Sequence, residues 1–113
     1  MANGNIHNPS AWTFVQNCLS STKVTGNINL YNNSNIRMCL LVFDITSAES
    51  LTSGSWIALG TTPTENRPKA DTSVVTEGGH LLFKNGTNSV IAIKPASTIS
   101  ANTKVTGQLL WVY

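Results

Sequence analysis

Hydrophobic and polar positions alternate over short runs along this 113-residue chain, which is typical of β-strands. In VTGNINLYN (24–32) the apolar residues fall on one face and the polar residues on the other. In IRMCLLVFDIT (36–46) nearly every position is apolar, which indicates a strand with both faces covered, and a neighbouring subunit is one source of the second cover. No longer segment shows an apolar period of 3.6 residues, so we expect at most one helical turn, at SAESL (47–51).

Further short strands, separated by turn residues, continue to the end of the chain. They are predicted at residues 56–61, 73–77, 80–84, 89–95 and 104–113. Asn85-Gly86 lies between two apolar runs and predicts a hairpin with a type I′ turn, which needs positive φ at both central residues.

One glycine within a strand and one short internal repeat give further predictions about the strands. Gly26 lies within a strand and indicates either a bulge or a close backbone approach. KVTGNINLY (23–31) and KVTGQLLWVY (104–113) share their opening residues. We therefore expect the two strands to occupy equivalent places in the fold, with direct pairing between them as one arrangement.

About eight short strands with frequent turns predict an all-β fold, either an antiparallel sandwich or a barrel. We favour an antiparallel β-sandwich with a jelly-roll-like connectivity for residues 23–113. The Asn-rich residues 1–22 are weakly patterned and are predicted to be an N-terminal arm or the end of a linker.

Composition limits the kinds of partner. Charged residues make up 11% of the chain, against roughly 25% in typical soluble domains, so electrostatic steering is weak. The net charge is +2 and the seven basic residues are scattered, which argues against nucleic-acid binding. No apolar run is long enough to predict membrane insertion, and the first residues lack the pattern of a signal peptide. We expect the chain to stay in the cytosol of its maker or to leave by another route.

The chain carries few residues that could perform chemistry. His7 and His80 are isolated, and no cluster of metal ligands or cofactor-binding motif is present, so neither a metal nor a cofactor is expected. Cys18 and Cys39 lie in apolar segments and are predicted to be buried free thiols, although a disulfide between them is not excluded by sequence. Asp44 and Glu49 could pair as acid and base but are better explained as solvated carboxylates. We therefore expect that the chain is not an enzyme.

Charge is concentrated in GTTPTENRPKADTSVV (60–75), which holds Glu65, Arg67, Lys69 and Asp71 between and beside two prolines. Proline fixes φ and removes a backbone donor, so this stretch is predicted to be a stiff connector between strands. We expect Arg67 to anchor it through Glu65, Asp71 or backbone carbonyls.

A polar but weakly charged surface with exposed aromatic rings is also suited to sugars, which stack on rings and form neutral hydrogen bonds. Trp111 and Tyr113 alternate with Val112 and therefore share a face. The candidate ligand-binding residues in the whole chain are Trp56, Tyr31, Arg67 and Asp71.

WIALGTTPTENRPKADTSVV (56–75) resembles a segment common in bacteriophage tail-fibre, baseplate and head-fibre proteins. In that pattern a strand with a tryptophan leads through an apolar-glycine piece and a proline to Arg-Pro, and then returns into a valine-rich strand. HLLFKNGTNSVIAIKP (80–95) and the terminal aromatic strand follow in the family's order, so the resemblance covers roughly residues 23–113. Asn66 departs from the pattern, because the family often has an aromatic residue before Arg67.

The resemblance implies a trimeric, C-terminal knob domain at the tip of a fibre, with residues 1–22 as the end of the shaft. It implies a non-enzymatic receptor-binding domain of the virion, made in the cytoplasm of the bacterial host. Its partners would be a saccharide or protein of the host surface and other fibre proteins. The alternative is a purely structural fibre or trimerisation domain without a receptor. A third reading, a small glycan hydrolase or lyase, would depend on Glu65 and Asp71 as its two carboxylates.

Overall fold

The computed structural model describes residues 12–113, and these residues fold into two four-stranded antiparallel sheets. The strands are β1 (Thr13–Asn17), β2 (Val24–Asn33), β3 (Met38–Ser47), β4 (Ile57–Thr61), β5 (Thr72–Val75), β6 (Leu81–Lys84), β7 (Val90–Lys94) and β8 (Lys104–Val112). The first sheet has the order β1-β2-β3-β8 and the second sheet the order β4-β7-β6-β5. A single 3₁₀ turn lies at Thr64–Asn66 among the described residues.

The two sheets share one hydrophobic core, which makes the fold all-β and sandwich-like. Side chains alternate between the faces of a strand, so every second residue of each strand points inward. The fully buried side chains come from both sheets: Ile28, Leu30, Leu41, Phe43 and Ile45 from the first, and Leu59, Leu82, Ile91 and Ile93 from the second. Removing these apolar side chains from water is the main stabilising contribution to such a core.

Strand β3 lies inside the first sheet, and residues 12–113 cover only one of its faces. Cys39, Leu41 and Phe43 are buried, whereas Leu40 and Val42, which alternate with them, are half-buried on the outer face. The continuous apolar pattern is therefore not explained by cover on both faces from the described residues. That a neighbouring subunit covers the outer face stays a prediction.

The related strands β2 and β8 occupy equivalent places on either side of β3, but they do not pair with each other. Leu30 and Leu109 are the partners of Leu41 from the two sides, and all three are buried. The strand order does not show the predicted jelly-roll connectivity, because β1, β2 and β3 are successive neighbours in one sheet and β5, β6 and β7 in the other.

The sandwich begins earlier in the chain than predicted. Strand β1 pairs with β2 from Thr13 opposite Asn32 to Asn17 opposite Asn29. Leu19 then forms an isolated bridge with Gly60 of the second sheet. Residues 13–22 are therefore part of the fold rather than of an arm, because the edge of β2 is available for pairing. Residues 1–11 of the predicted arm, with His7, lie outside the described residues.

The turns differ in detail from the sequence prediction. The β6–β7 hairpin is present, but residues 85–89 form a longer loop in which Ser89, at φ 64°, is the residue with positive φ. Gly86 is needed for close approach instead, because a Cβ there would lie 2.9 Å from the Pro68 carbonyl oxygen. Gly26 has φ 110° and packs against the Asp44 carbonyl without interrupting the β2–β3 register, so close approach and not a bulge explains it. SAESL forms no helical turn.

Candidate functional site

The four candidate ligand-binding residues do not converge on one site. Trp56 precedes β4 on the outer face of the second sheet, where it packs on Phe83 of β6. Tyr31 lies on the outer face of the first sheet, on the opposite side of the sandwich. Arg67 and Asp71 lie in the loop between β4 and β5. The structure therefore presents two separate outer surfaces and a connecting loop.

The surface of the second sheet is built around the Trp56 ring. Its centroid lies 4.9 Å from the centroid of the Phe83 ring, with the two planes inclined by 45°. The Lys94 ammonium nitrogen lies 5.7 Å from the centroid of the Trp56 ring, within reach of a cation–π attraction. The Trp56 side chain still exposes 46% of its surface. An indole that contacts Phe83 and Lys94 and is still half-exposed has ring surface on which a flat apolar ligand face can pack.

Strand register explains why these side chains meet. Phe83 lies opposite Ala92, and Ala92 lies opposite Ala58, so three adjacent strands contribute to one outward row. The methyl side chains of the two alanines leave room for a large ring beside Phe83. Trp56 enters from the turn at 52–55, in which Gly54 has φ 85°. We call Trp56, Phe83 and Lys94 the indole platform.

The outer face of the first sheet carries a line of apolar side chains across all four strands. In register order they are Phe14, Tyr31, Leu40 and Leu110, which we call the apolar row. The Phe14 and Tyr31 rings meet edge to face, with their centroids 5.6 Å apart. Phe14 exposes 54% and Leu110 51% of their surface, and the neighbouring Val112 exposes 55%. Sequence reasoning selected only Tyr31, because a row across strands becomes visible only when the register is known.

The charged loop at 60–75 is fastened to its neighbours by hydrogen bonds. The Arg67 guanidinium donates to the Thr87 carbonyl oxygen (3.1 Å), and Asp71 accepts the amide hydrogen of Gly86 (2.9 Å). The Asn66 carbonyl oxygen accepts the indole N–H of Trp111 at 2.7 Å inside the core. Arg67 thus anchors the loop through a backbone carbonyl, and within residues 12–113 it makes no ion pair with Glu65 or Asp71. These contacts agree with a stiff connector.

The aromatic residues of the last strand belong to the interior. Trp111 and Tyr113 share a face, as predicted, and both are buried. The Arg37 guanidinium carbon lies 4.3 Å above the centroid of the Tyr113 ring. Neither ring presents a face comparable to that of Trp56, so their contribution is to packing.

Lys84 is the titratable group that sequence reasoning missed. It is fully buried at the end of β6, where its ammonium donates to the Asn85 carbonyl oxygen (2.8 Å). Burial, assisted by the charge of Arg67, lowers the pKa of Lys84 to about 8. The alternation of β6 could have revealed this position, because Lys84 follows the core residue Leu82 at the inward spacing.

Both cysteines are buried free thiols, as predicted. Burial raises the pKa of the Cys39 thiol to about 11, and burial also raises the pKa of Cys18. Thiols of this kind stay protonated and are poor nucleophiles at neutral pH.

The carboxylates named as candidate acid–base groups are engaged elsewhere. Asp44 lies 3.4 Å from the Lys104 ammonium and Glu49 lies 3.3 Å from that of Lys23. His80 accepts the Ala96 amide hydrogen through Nδ1 (3.1 Å). Within the described part of the chain, no group of three or more acidic, histidine or cysteine side chains could hold a metal ion.

No helix among residues 12–113 has the length and apolar character to cross a membrane. Comparisons with protein-family models, with curated proteins and with solved structures gave no match to this chain.

Proposed function

We propose that this chain is a non-enzymatic binding domain at the tip of a bacteriophage fibre, which attaches the virion to a saccharide of the host surface. The observation that carries this proposal is the indole platform, in which a half-exposed Trp56 ring is held by Phe83 and Lys94. The phage context comes from the resemblance of residues 56–75 to fibre and baseplate proteins.

A ring held in this way suits a sugar. The C–H groups on one face of a pyranose pack against an indole, and the hydroxyl groups at its edge form hydrogen bonds with neutral neighbours. Phe83 and Lys94 fix the ring before binding, so less side-chain entropy is lost when the ligand arrives. One such contact is weak by itself, and several copies in a fibre tip would raise the overall affinity through avidity. A homotrimer attached to other fibre proteins of the virion is the assembly that we propose.

The contacts of the carboxylate side chains support the proposal that the chain is not an enzyme. Asp44 and Glu49 each face a lysine, and Asp71 accepts a backbone N–H at the loop. Hydrolysis of a glycoside would need two carboxylates facing each other across a cleft, at about 5 to 9.5 Å. Three of the five acidic side chains thus already have a lysine or a backbone N–H as a partner.

The test is binding of the full chain to a glycan array and to host cell-wall saccharides. We expect Trp56→Ala to weaken saccharide binding by about tenfold or more, because the stacking surface is lost. Ile36→Ala is the matched control, since Ile36 is an exposed apolar residue in the turn between β2 and β3. Circular dichroism and thermal unfolding would verify that both variants are folded. Equal binding by Trp56→Ala and wild type, or no saccharide binding by the wild type, would contradict the proposal.

The apolar row favours a second candidate function, a structural fibre or trimerisation domain without a receptor. An exposed apolar surface on a sheet indicates a protein interface. This alternative predicts a stable assembly with no affinity for any surface saccharide. The glycan array and a measurement of molar mass together distinguish the two functions.

A further inference from the structure

We propose that the outer face of the first sheet, centred on the apolar row, is the surface through which copies of this chain associate. The proposal rests on the assembly proposed above and assigns that assembly to one face of the sandwich. The indole platform on the second sheet then remains free for ligand.

The geometry of the row is the first argument. Each of its members is the direct cross-strand partner of the next, from Phe14 on the edge strand β1 to Leu110 on the edge strand β8. Met38 and Val112 form a further cross-strand pair on the same face. The apolar surface is thus continuous from one edge of the sheet to the other.

The size of the face is the second argument. Strands β2, β3 and β8 contain 10, 10 and 9 residues. With the 5 residues of β1 added, at about 3.3 Å per residue and about 4.8 Å between strands, the four-stranded face has a projected area of about 540 Å². Side-chain relief makes the accessible area larger, and a standard interface buries about 800 Å² on each partner. The whole face is therefore of the order of one side of a standard interface, which is the size that contact with a second copy requires.

The distribution of charge is the third argument. On this face the charged side chains of β3 and β8 are Asp44 and Lys104, which lie 3.4 Å apart as an ion pair at the end remote from the apolar row. The face therefore carries no net charge from these strands, and a second copy meets no like-charge repulsion there. A weakly charged apolar surface is not suited to bind a nucleic acid, because its phosphates are bound by basic side chains.

The experiment measures the molar mass of the full chain by light scattering at about 100 µM. We expect the wild type to have the mass of two or three copies and Leu110→Asp to have the mass of a monomer. An aspartate at this half-exposed position is solvated in the monomer but would be buried without a partner in the assembly. Val75→Asp is the matched control, because Val75 exposes 61% of its surface on the outer face of the second sheet. We expect this control to keep the wild-type mass.

Two outcomes would overturn the inference. One is a monomeric wild type, and the other is an oligomer that Val75→Asp dissociates while Leu110→Asp does not. Phe14→Lys, at the other end of the row, gives an independent test if Leu110→Asp fails to fold, and it should also yield a monomer. Saccharide binding measured on a folded monomeric variant separates this proposal from the previous one. The affinity of each chain should be retained, because Trp56 lies on the opposite sheet.

Discussion

Lys84 illustrates at the residue scale how the fold changes the chemistry of one side chain. Its stem packs among the core residues, and among residues 12–113 its ammonium has a single hydrogen bond, to the carbonyl oxygen of the next residue. The titratable and charged groups that influence it are Arg67, Cys18, Asp71 and Cys39. Desolvation is the largest of these effects, so the charged form is disfavoured and the pKa falls to about 8.

We expect Lys84→Met to remove a pH dependence of stability. Between a folded pKa of about 8 and an ordinary value of 10.5, the unfolded chain binds a proton that the folded chain does not. The free energy of unfolding of the wild type should therefore rise, relative to the variant, by about 1 kcal/mol between pH 7 and pH 9. Urea unfolding monitored by tryptophan fluorescence would measure the difference.

The comparison with Lys84→Met cancels the effect of the cysteines. The folded chain holds thiol protons that the unfolded chain releases near pH 9, so Cys18 and Cys39 lower stability as the pH rises. Removing the Lys84 charge raises the pKa of both folded thiols further, so they stay protonated between pH 7 and pH 9 and the two proteins share this effect. Lys69→Met, at an exposed position, is the control and should keep the wild-type slope. A variant that follows the wild-type profile throughout would show that burial does not perturb Lys84.

At the scale of elements, the contact that joins the two sheets is the junction between the segment after β1 and strand β4. The Ser20 and Ser21 amides both donate to the Leu59 carbonyl oxygen, at 2.9 and 3.1 Å. Leu19 and Gly60 form an isolated bridge beside them. This junction connects the two sheets along one side of the sandwich, and it requires two backbones to approach closely.

We expect Gly60→Ala to destabilise the fold strongly, because the new Cβ would overlap with the Cys18 carbonyl oxygen. The backbone of β4 or of the segment after β1 would have to move, at a cost of about 3 kcal/mol. Gly54→Ala is the matched control. The new Cβ at this position would have no atom within 4 Å, so the substitution should cost only the backbone strain of a positive φ, about 1 kcal/mol of stability. Thermal and urea unfolding would rank the variants, and similar losses from both would refute a close junction.

Single strands could be predicted from the sequence, because the period of two is a local property of the chain. Strands β2 to β8 were predicted within a few residues, and β1 was missed because TFVQN is short and lies next to Asn-rich segments. The Asn85-Gly86 turn was assigned the wrong type, since packing against Pro68, and not positive φ, requires the glycine. Turn types depend on such neighbours from outside the local sequence.

At the scale of the whole molecule, long-range pairing dominates the topology. Strand β8 closes the first sheet against β3, with Cys39 opposite Trp111 and Thr46 opposite Lys104. The second sheet, formed by residues 57–94, is entirely inserted in the chain between these two strands. The entropy of closing this long loop must be lost before the pairing contributes any stability.

We expect refolding in milliseconds to seconds, as for other β proteins with non-local contacts. Stopped-flow dilution from urea would follow it through Trp111, whose indole is buried when β8 docks. A Trp12→Phe, Trp56→Phe background would leave this single reporter. The slow step in this prediction is the pairing of β3 with β8. Refolding that is complete within microseconds would contradict it.

The candidate site was only partly predictable. Trp56 was selected as an exposed aromatic residue, and the structure adds the Phe83 and Lys94 contacts that hold it. Tyr31 was selected for the same reason but belongs to a different surface. Arg67 and Asp71 were identified as charged residues of one loop, and the structure shows that both hold the loop to the turn at 85–88.

Local sequence patterns were sufficient to predict the all-β class, most strands, the buried cysteines and a proline-containing loop anchored by Arg67. These features follow from alternation, proline and composition, which act over a few neighbouring residues. Only the tertiary structure determined four other features. They are the order of strands, the apolar row, the inward position of Lys84 and the separation of Tyr31 from Trp56. They depend on register between strands far apart in sequence, and register is determined by how two faces pack together rather than by either strand alone.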